Sequence, residues 1–168
     1  MTANPVQKLD RELGDWGLIF IILSLSIRPS AEILNFPGLI VYRRMLGLFA
    51  FFYVCLHVLS YVTLNLQLNF DALLQDIIKR NFITVGIVAF IFMIPLAVTS
   101  TKTMIKWIGG RRWQLLHFLI YPIVLMAVWH FFMMVRADFS RPTVYLTIIM
   151  VLLCYRFWSR FRKINKNS

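Results

Sequence analysis

The chain has 168 residues, 60% of them hydrophobic, with a mean hydropathy of +0.72 and a net charge of +11. Soluble domains average about 45–50% apolar residues, so a water-soluble globule of this length is excluded and the sequence reads as an all-α integral membrane bundle. The charge does not point to nucleic acid, because the basic residues stand at the ends of apolar runs, where they orient helices in a lipid bilayer.

In chain order, residues 1–15 are polar and read as an extramembrane tail. Trp16 to Ile27 is a first span that stops at Arg28-Pro29, short against the ~20 residues a crossing helix needs. Residues 30–42 hold the turn signal Pro37-Gly38 and read as a loop or interfacial segment. Met45 to Leu66 is a strong span entered through Arg43-Arg44. Phe70, Leu73, Leu74, Ile77 and Ile78 then recur at helical spacing behind a capping Asn69. They predict a short amphipathic helix lying on the membrane surface. Phe82 to Val98 is the next span, with a kink expected at Pro95. Thr99 to Arg112 reads as a basic loop turning at Gly109-Gly110, and Trp113 to Val135 as the central helix, with a kink expected at Pro122. A tight polar loop over 136–142, a last span from Thr143 to Phe157 and a basic tail over 158–168 complete a single domain of about five transmembrane helices.

The charges set an orientation. One side collects Arg28, Arg43, Arg44, Lys102, Lys106, Arg111, Arg112 and the tail bases Arg156, Arg160, Arg162, Lys163 and Lys166, against the single acid Glu32. On the other side Lys8, Arg11, Lys79, Arg80, Arg136 and Arg141 are balanced by Asp10, Glu12, Asp15, Asp71, Asp76 and Asp138. The positive-inside rule places the first side, with the C-terminus, in the cytoplasm and the N-terminus outside.

The chain has three histidines, His57, His117 and His130, all inside apolar segments. Imidazole in lipid needs a partner, and haem iron is the partner that fits, because neutral imidazole is a strong axial ligand. Zinc or copper fits less well: no cysteine or carboxylate accompanies the histidines, and Cys55 and Cys154 fall in separate spans with no C-x-x-C pattern. The expected spans contain no Asp or Glu, which argues against a carboxylate proton relay or a di-iron bundle. At about 1.5 Å per residue, His57 lies about 20 Å from the inner surface, His117 about 8 Å and His130 about 27 Å. Depth therefore favours a His57–His130 pair near the outer side. A second haem at His117 would need a weak, open or unusual sixth ligand, because Arg43 and Arg44 stand where a matching histidine would sit, and their guanidinium groups suit a haem propionate. Tyr61 and Tyr121, each one turn after a histidine, are candidate hydrogen-bonders at the site. Met133 and Met134 and the run Phe49, Phe51, Phe52, Tyr53 read as packing or lipid-facing side chains.

Several stretches together carry a resemblance. They are Arg43-Arg44-Met45-Leu46-Gly47-Leu48 with His57 and Tyr61, Thr84-Val85-Gly86, Pro95-Leu96-Ala97-Val98-Thr99-Ser100, Gly110-Arg111-Arg112-Trp113-Gln114-Leu115-Leu116-His117 with Tyr121 and His130, and the start from Asn4-Pro5-Val6 to Gly14. Over nearly its whole length the chain resembles the MsrQ family, formerly YedZ, whose wider relatives are the ferric-reductase-like transmembrane domains. The resemblance implies a bacterial inner-membrane protein carrying one or two b-type haems. It implies electron transfer from the quinone pool, or from a flavin reductase, to the periplasmic molybdopterin enzyme MsrP, which reduces methionine sulfoxide in oxidised envelope proteins. Substrate reduction then falls to the partner, and a flavin mononucleotide (FMN) is also associated with the family. By position, His57, His117 and His130 match the family's three histidines. The family pattern has six spans with both termini inside, and this chain begins just after where the first would be; either a span precedes it or five suffice. The alternatives are a transmembrane reductase of ferric iron or another acceptor, and a haem-free scaffold or transporter.

Overall fold

The computed structural model describes residues 5–135 and 137–166, and among them all regular structure is helical. Residues 1–4 of the expected tail and Arg136 of the expected loop lie outside the described residues, as do the side chains of Arg160, Lys163 and Lys166. Five helical stretches are long and apolar enough to cross a membrane, and this is a multi-pass all-α membrane bundle.

The first helix, α1 (Pro5–Ile33), is longer than expected at both ends. Residues 5–15, read as part of a tail, form its first three turns. Their polar side chains find distant partners: the Asp10 carboxylate accepts from Ser60 Oγ and Asn65 Nδ2, and Asp15 meets Arg141 at 3.4 Å. At the other end the helix runs through Pro29. Proline lacks the N–H that would bond the carbonyl four residues back, but that carbonyl, Leu25 O, accepts instead from Arg156 Nη2 at 2.9 Å. Asn35, at φ 52°, then closes the end, with Phe36 N donating to Ala31 O at 3.1 Å. Helix therefore takes the start of the expected 30–42 loop, and a short 3₁₀ turn, Pro37–Leu39, leads directly into α2 (Ile40–Ser60).

Helices α1 and α2 pack along each other. Glycine permits this close approach: a methyl on Gly17 would stand 2.8 Å from Val54 Cγ2. The aromatic run on α2 divides by face. Tyr53 and Phe49 stack on Phe20 at 5.2 and 5.5 Å and Phe51 on Phe90 at 6.0 Å, whereas Phe52 is exposed on the outside. A π-turn, Tyr61–Asn65, ends α2. The expected amphipathic helix follows as α3 (Phe70–Lys79), where Asn69 Oδ1 accepts from Ala72 N at 3.0 Å. Leu73 and Ile77 are half-buried, and Phe70, Leu74 and Ile78 are exposed. Tyr61 Oη to Asp76 at 2.5 Å and Thr84 Oγ1 to Ile77 O at 2.5 Å clip this helix to the bundle.

The next span is α4 (Asn81–Val98), with Pro95 inside its last turn. The expected basic loop contains a helix of its own, α5 (Lys102–Ile108), because the Thr101 hydroxyl accepts from Met104 N at 3.2 Å. Gly109, at φ +84°, makes the turn. The expected central helix arrives as two pieces, α6 (Gly110–His117) and α7 (Ile120–Met134). Pro122 causes the break: it cannot donate to Phe118 O, which accepts from Tyr121 N at 3.1 Å instead. The last helix, α8 (Ser140–Lys166), carries the span straight into the basic tail. α4 packs along α7, and α8 packs on α1 and α7. The core is Leu18, Ile21 and Leu25 of α1 with Ile123, Val124 and Val128 of α7 and Ile149 of α8. Large apolar side chains such as Phe52, Ile91, Leu125, Trp129 and Val151 face outward, the arrangement lipid requires.

Candidate functional site

His57 and His130 come together at the end of the bundle formed by the start of α1, the end of α2 and the end of α7. Their ring centroids are 6.4 Å apart and their planes lie at 78°. Each ring is held by the same device. His57 Nδ1 is 2.8 Å from Asp10 O on α1, and His130 Nδ1 is 2.6 Å from Phe82 O on α4. A carbonyl oxygen only accepts, so Nδ1 carries the proton in both neutral rings and Nε2 keeps its lone pair.

Each accepting carbonyl lies four residues before a glycine, Gly14 and Gly86. A side chain there would stand beside the ring: a Cβ on Gly86 would come within 2.9 Å of His130 Nδ1, and one on Gly14 within 3.5 Å of His57 Nδ1. The Asp10 and Phe82 carbonyls, and the bare Gly86 beside His130, hold the candidate pair, and sequence reasoning gave them no role there. A backbone acceptor has no side-chain signature, and the available signal was the glycine one turn on.

The other candidate residues divide between the two ends. Tyr61 sits at the paired-histidine end, bonded to Asp76, whose other oxygen meets Arg80 Nε at 3.2 Å. His117 belongs to the opposite half. Its Nδ1 bonds Trp113 O of its own helix at 3.1 Å, and its ring lies 4.0 Å from the Trp113 ring. Thirteen residues of helix separate it from His130, about 20 Å along the axis, so it does not join the pair. Arg43 is half-buried on this side, while Arg44 and Arg112 are exposed. The Tyr121 hydroxyl accepts from Arg156 Nη1 at 3.4 Å. Arg156 itself is buried and was read only as a tail base.

The fold and site define a class: a multi-pass helical membrane protein with imidazoles paired between its helices. The family model described as ferric reductase like transmembrane component matches residues 13–128. The protein-methionine-sulfoxide reductase heme-binding subunit MsrQ of Rhodospirillum rubrum is 45% identical over 161 residues, 96% of this chain and 77% of that protein. MsrQ of Caulobacter vibrioides is 45% identical over 166 residues, covering 99% and 79%. Magnetosome protein MamZ of Magnetospirillum gryphiswaldense is 49% identical over 154 residues, 92% of this chain and 24% of that protein. The chain belongs to the ferric-reductase-like transmembrane component family and to the MsrQ group within it.

Proposed function

We propose that the chain is a b-type haem electron-transfer subunit of the bacterial inner membrane, built as one ferric-reductase-like domain. In this reading it links the quinone pool or a cytoplasmic flavin reductase to a periplasmic molybdopterin methionine sulfoxide reductase of the MsrP kind. The observation that carries it is the facing of His57 and His130 with both Nδ1 atoms turned to carbonyls. The heme-binding name of relatives 45% identical to the chain supports it.

The residues fit the group. The two ring centres lie 6.4 Å apart, a separation at which both imidazoles would hold one haem iron, a metal that histidine ligates. When bound, haem supplies an iron centre that takes up and releases one electron. The chain does the rest. The Asp10 and Phe82 carbonyls fix the tautomer and plane of each ring and raise the basicity of the ligating nitrogen. The α3 helix, pinned through Tyr61 and Asp76, covers the bundle end beside the pair.

With the positive side inward, the pair lies toward the periplasm, where the acceptor is, and His117 lies toward the cytoplasm. Arg43, Arg44 and Arg112 with Tyr121 are the groups for acidic or polar parts of a cofactor on that inner side, whether a second haem at His117, an FMN or a quinone.

The test is the spectrum of the purified chain, oxidised and dithionite-reduced, with a haem-to-protein ratio. Sharp reduced b-type bands that disappear in His57→Ala and in His130→Ala are expected. A ratio near two assigns a second haem to His117. A folded, colourless protein from haem-replete cells overturns the reading.

A further inference from the structure

We propose that Arg156, with Arg43 and Tyr121 beside it, forms a binding site for an anionic oxygen group, a carboxylate or a phosphate, in the His117 half of the bundle. Arg156 lies within the last span and is 8% exposed. A guanidinium does not lose its charge in proteins, and an intramembrane charge is costly unless it is paired. Arg156 has only neutral acceptors: Leu25 O at 2.9 Å and the Tyr121 hydroxyl at 3.4 Å. Its Nε is buried with no partner. The gap that Pro29 leaves explains the bond to Leu25 O. It does not explain the charge, since a neutral donor would serve the same carbonyl.

Among the described residues no acid pairs with it. Of the seven acids in the sequence, Glu32 alone belongs to this side, and it is engaged by Arg28 at 3.3 Å, Ser159 at 2.8 Å and Tyr155 at 3.5 Å. The ion pairs among the described residues use Lys8, Arg28, Arg80 and Arg141, never Arg156 or Arg43. Arg43 adds a second positive charge within electrostatic reach of Arg156, as it is of Arg28. Arg28 and Arg43 also line a cavity of about 400 Å³, with Glu32 at its wall beside Ile27, Ala31, Pro37 and Ile40. Arg156 and Arg43, neither of them in an ion pair among the described residues, can bind an oxyanion through their N–H donors. Because the Tyr121 oxygen accepts from Arg156, its own proton is available to the same anion.

The anion has two sources: a haem propionate, which rests on the haem reading above, or a phosphate, whether of a membrane lipid or of the FMN named there. The full chain in detergent separates them. Wild type and Arg156→Gln are compared by haem midpoint potential and by bound phosphorus retained after exhaustive detergent washing. Removing a positive charge beside a propionate disfavours the reduced state. If the propionate is the anion, Arg156→Gln weakens reduction of one haem by about tenfold, about 59 mV for one electron, and bound phosphorus is unchanged. If a phosphate is the anion, the potential holds and the variant loses phosphorus that wild type retains, without loss of flavin absorbance for a lipid and with it for an FMN. An Arg156→Gln protein with wild-type helicity, elution, potential and phosphorus overturns the site. Should that variant not fold, Tyr121→Phe, which removes one hydroxyl, is read the same way, and no change in either quantity overturns the proposal. A haem-free wild type defeats the haem reading alone and leaves the phosphorus comparison to decide the site.

Discussion

At the scale of single residues, the site depends on what is missing as much as on what is present. A methyl at position 86 would stand 2.9 Å from His130 Nδ1 and 3.0 Å from Cε1, closer than side chains pack. Gly86→Ala must push the ring off Phe82 O, at a cost of about 1–3 kcal/mol for an overpacked interior. The expected outcome is a folded helical protein with most of its haem absorbance lost. Gly14→Ala is the control: its methyl would meet His57 at 3.5 Å, ordinary contact, and wild-type absorbance is expected. Equal haem loss in both, measured by reduced-minus-oxidised spectra and circular dichroism, refutes the steric account. The three histidines were legible in the sequence because imidazole is conspicuous among Leu, Phe and Ile. Their second partners were not, since Asp10 and Phe82 contribute only carbonyl oxygens, 47 and 48 residues away from His57 and His130.

At the scale of elements, hydropathy located all five spans but misjudged where they end. Span ends depend on polar residues whose partners are remote: Asp15 meets Arg141 across 126 positions, and no local window contains both. The interruption in the central helix is the opposite case, a local effect with a local cause. Pro122 was visible, and the place of the break, at Phe118 and Leu119, follows from the carbonyl it cannot serve. Pro122→Ala restores the donor and removes a helix-interior penalty of about 3 kcal/mol. Amide exchange at Phe118 and Leu119 should then slow by about tenfold or more as α6 and α7 fuse. Fusion would re-aim His117 on α6, whereas His57 on α2 and His130 on α7 keep their carbonyl bonds. The bands assigned to the pair should persist while any haem that depends on His117 is altered. Unchanged exchange would mean that contacts of α6, such as Trp113 Nε1 to Thr99 O at 3.0 Å, impose the break without help from the proline.

At the scale of the whole molecule, direction is what gives an electron carrier its use, and direction here is a matter of charge. The fold puts α3 and the His57–His130 pair at one end and α5 at the other, and only the second end lacks acids to balance its lysines and arginines. By the cost of translocating those bases, the proposed orientation has α5 inward. The two exposed polar positions Gln75 on α3 and Lys106 on α5 report this directly. With Cys55 and Cys154 replaced by alanine, Gln75→Cys should react with a membrane-impermeant maleimide in intact spheroplasts, and Lys106→Cys only after lysis. The reverse pattern would put the histidine pair on the cytoplasmic side, where it could not face a periplasmic acceptor. The haem chemistry would survive that result, but the proposed route to methionine sulfoxide repair would then require a second redox group, at His117, to carry each electron across the remaining depth of the bilayer.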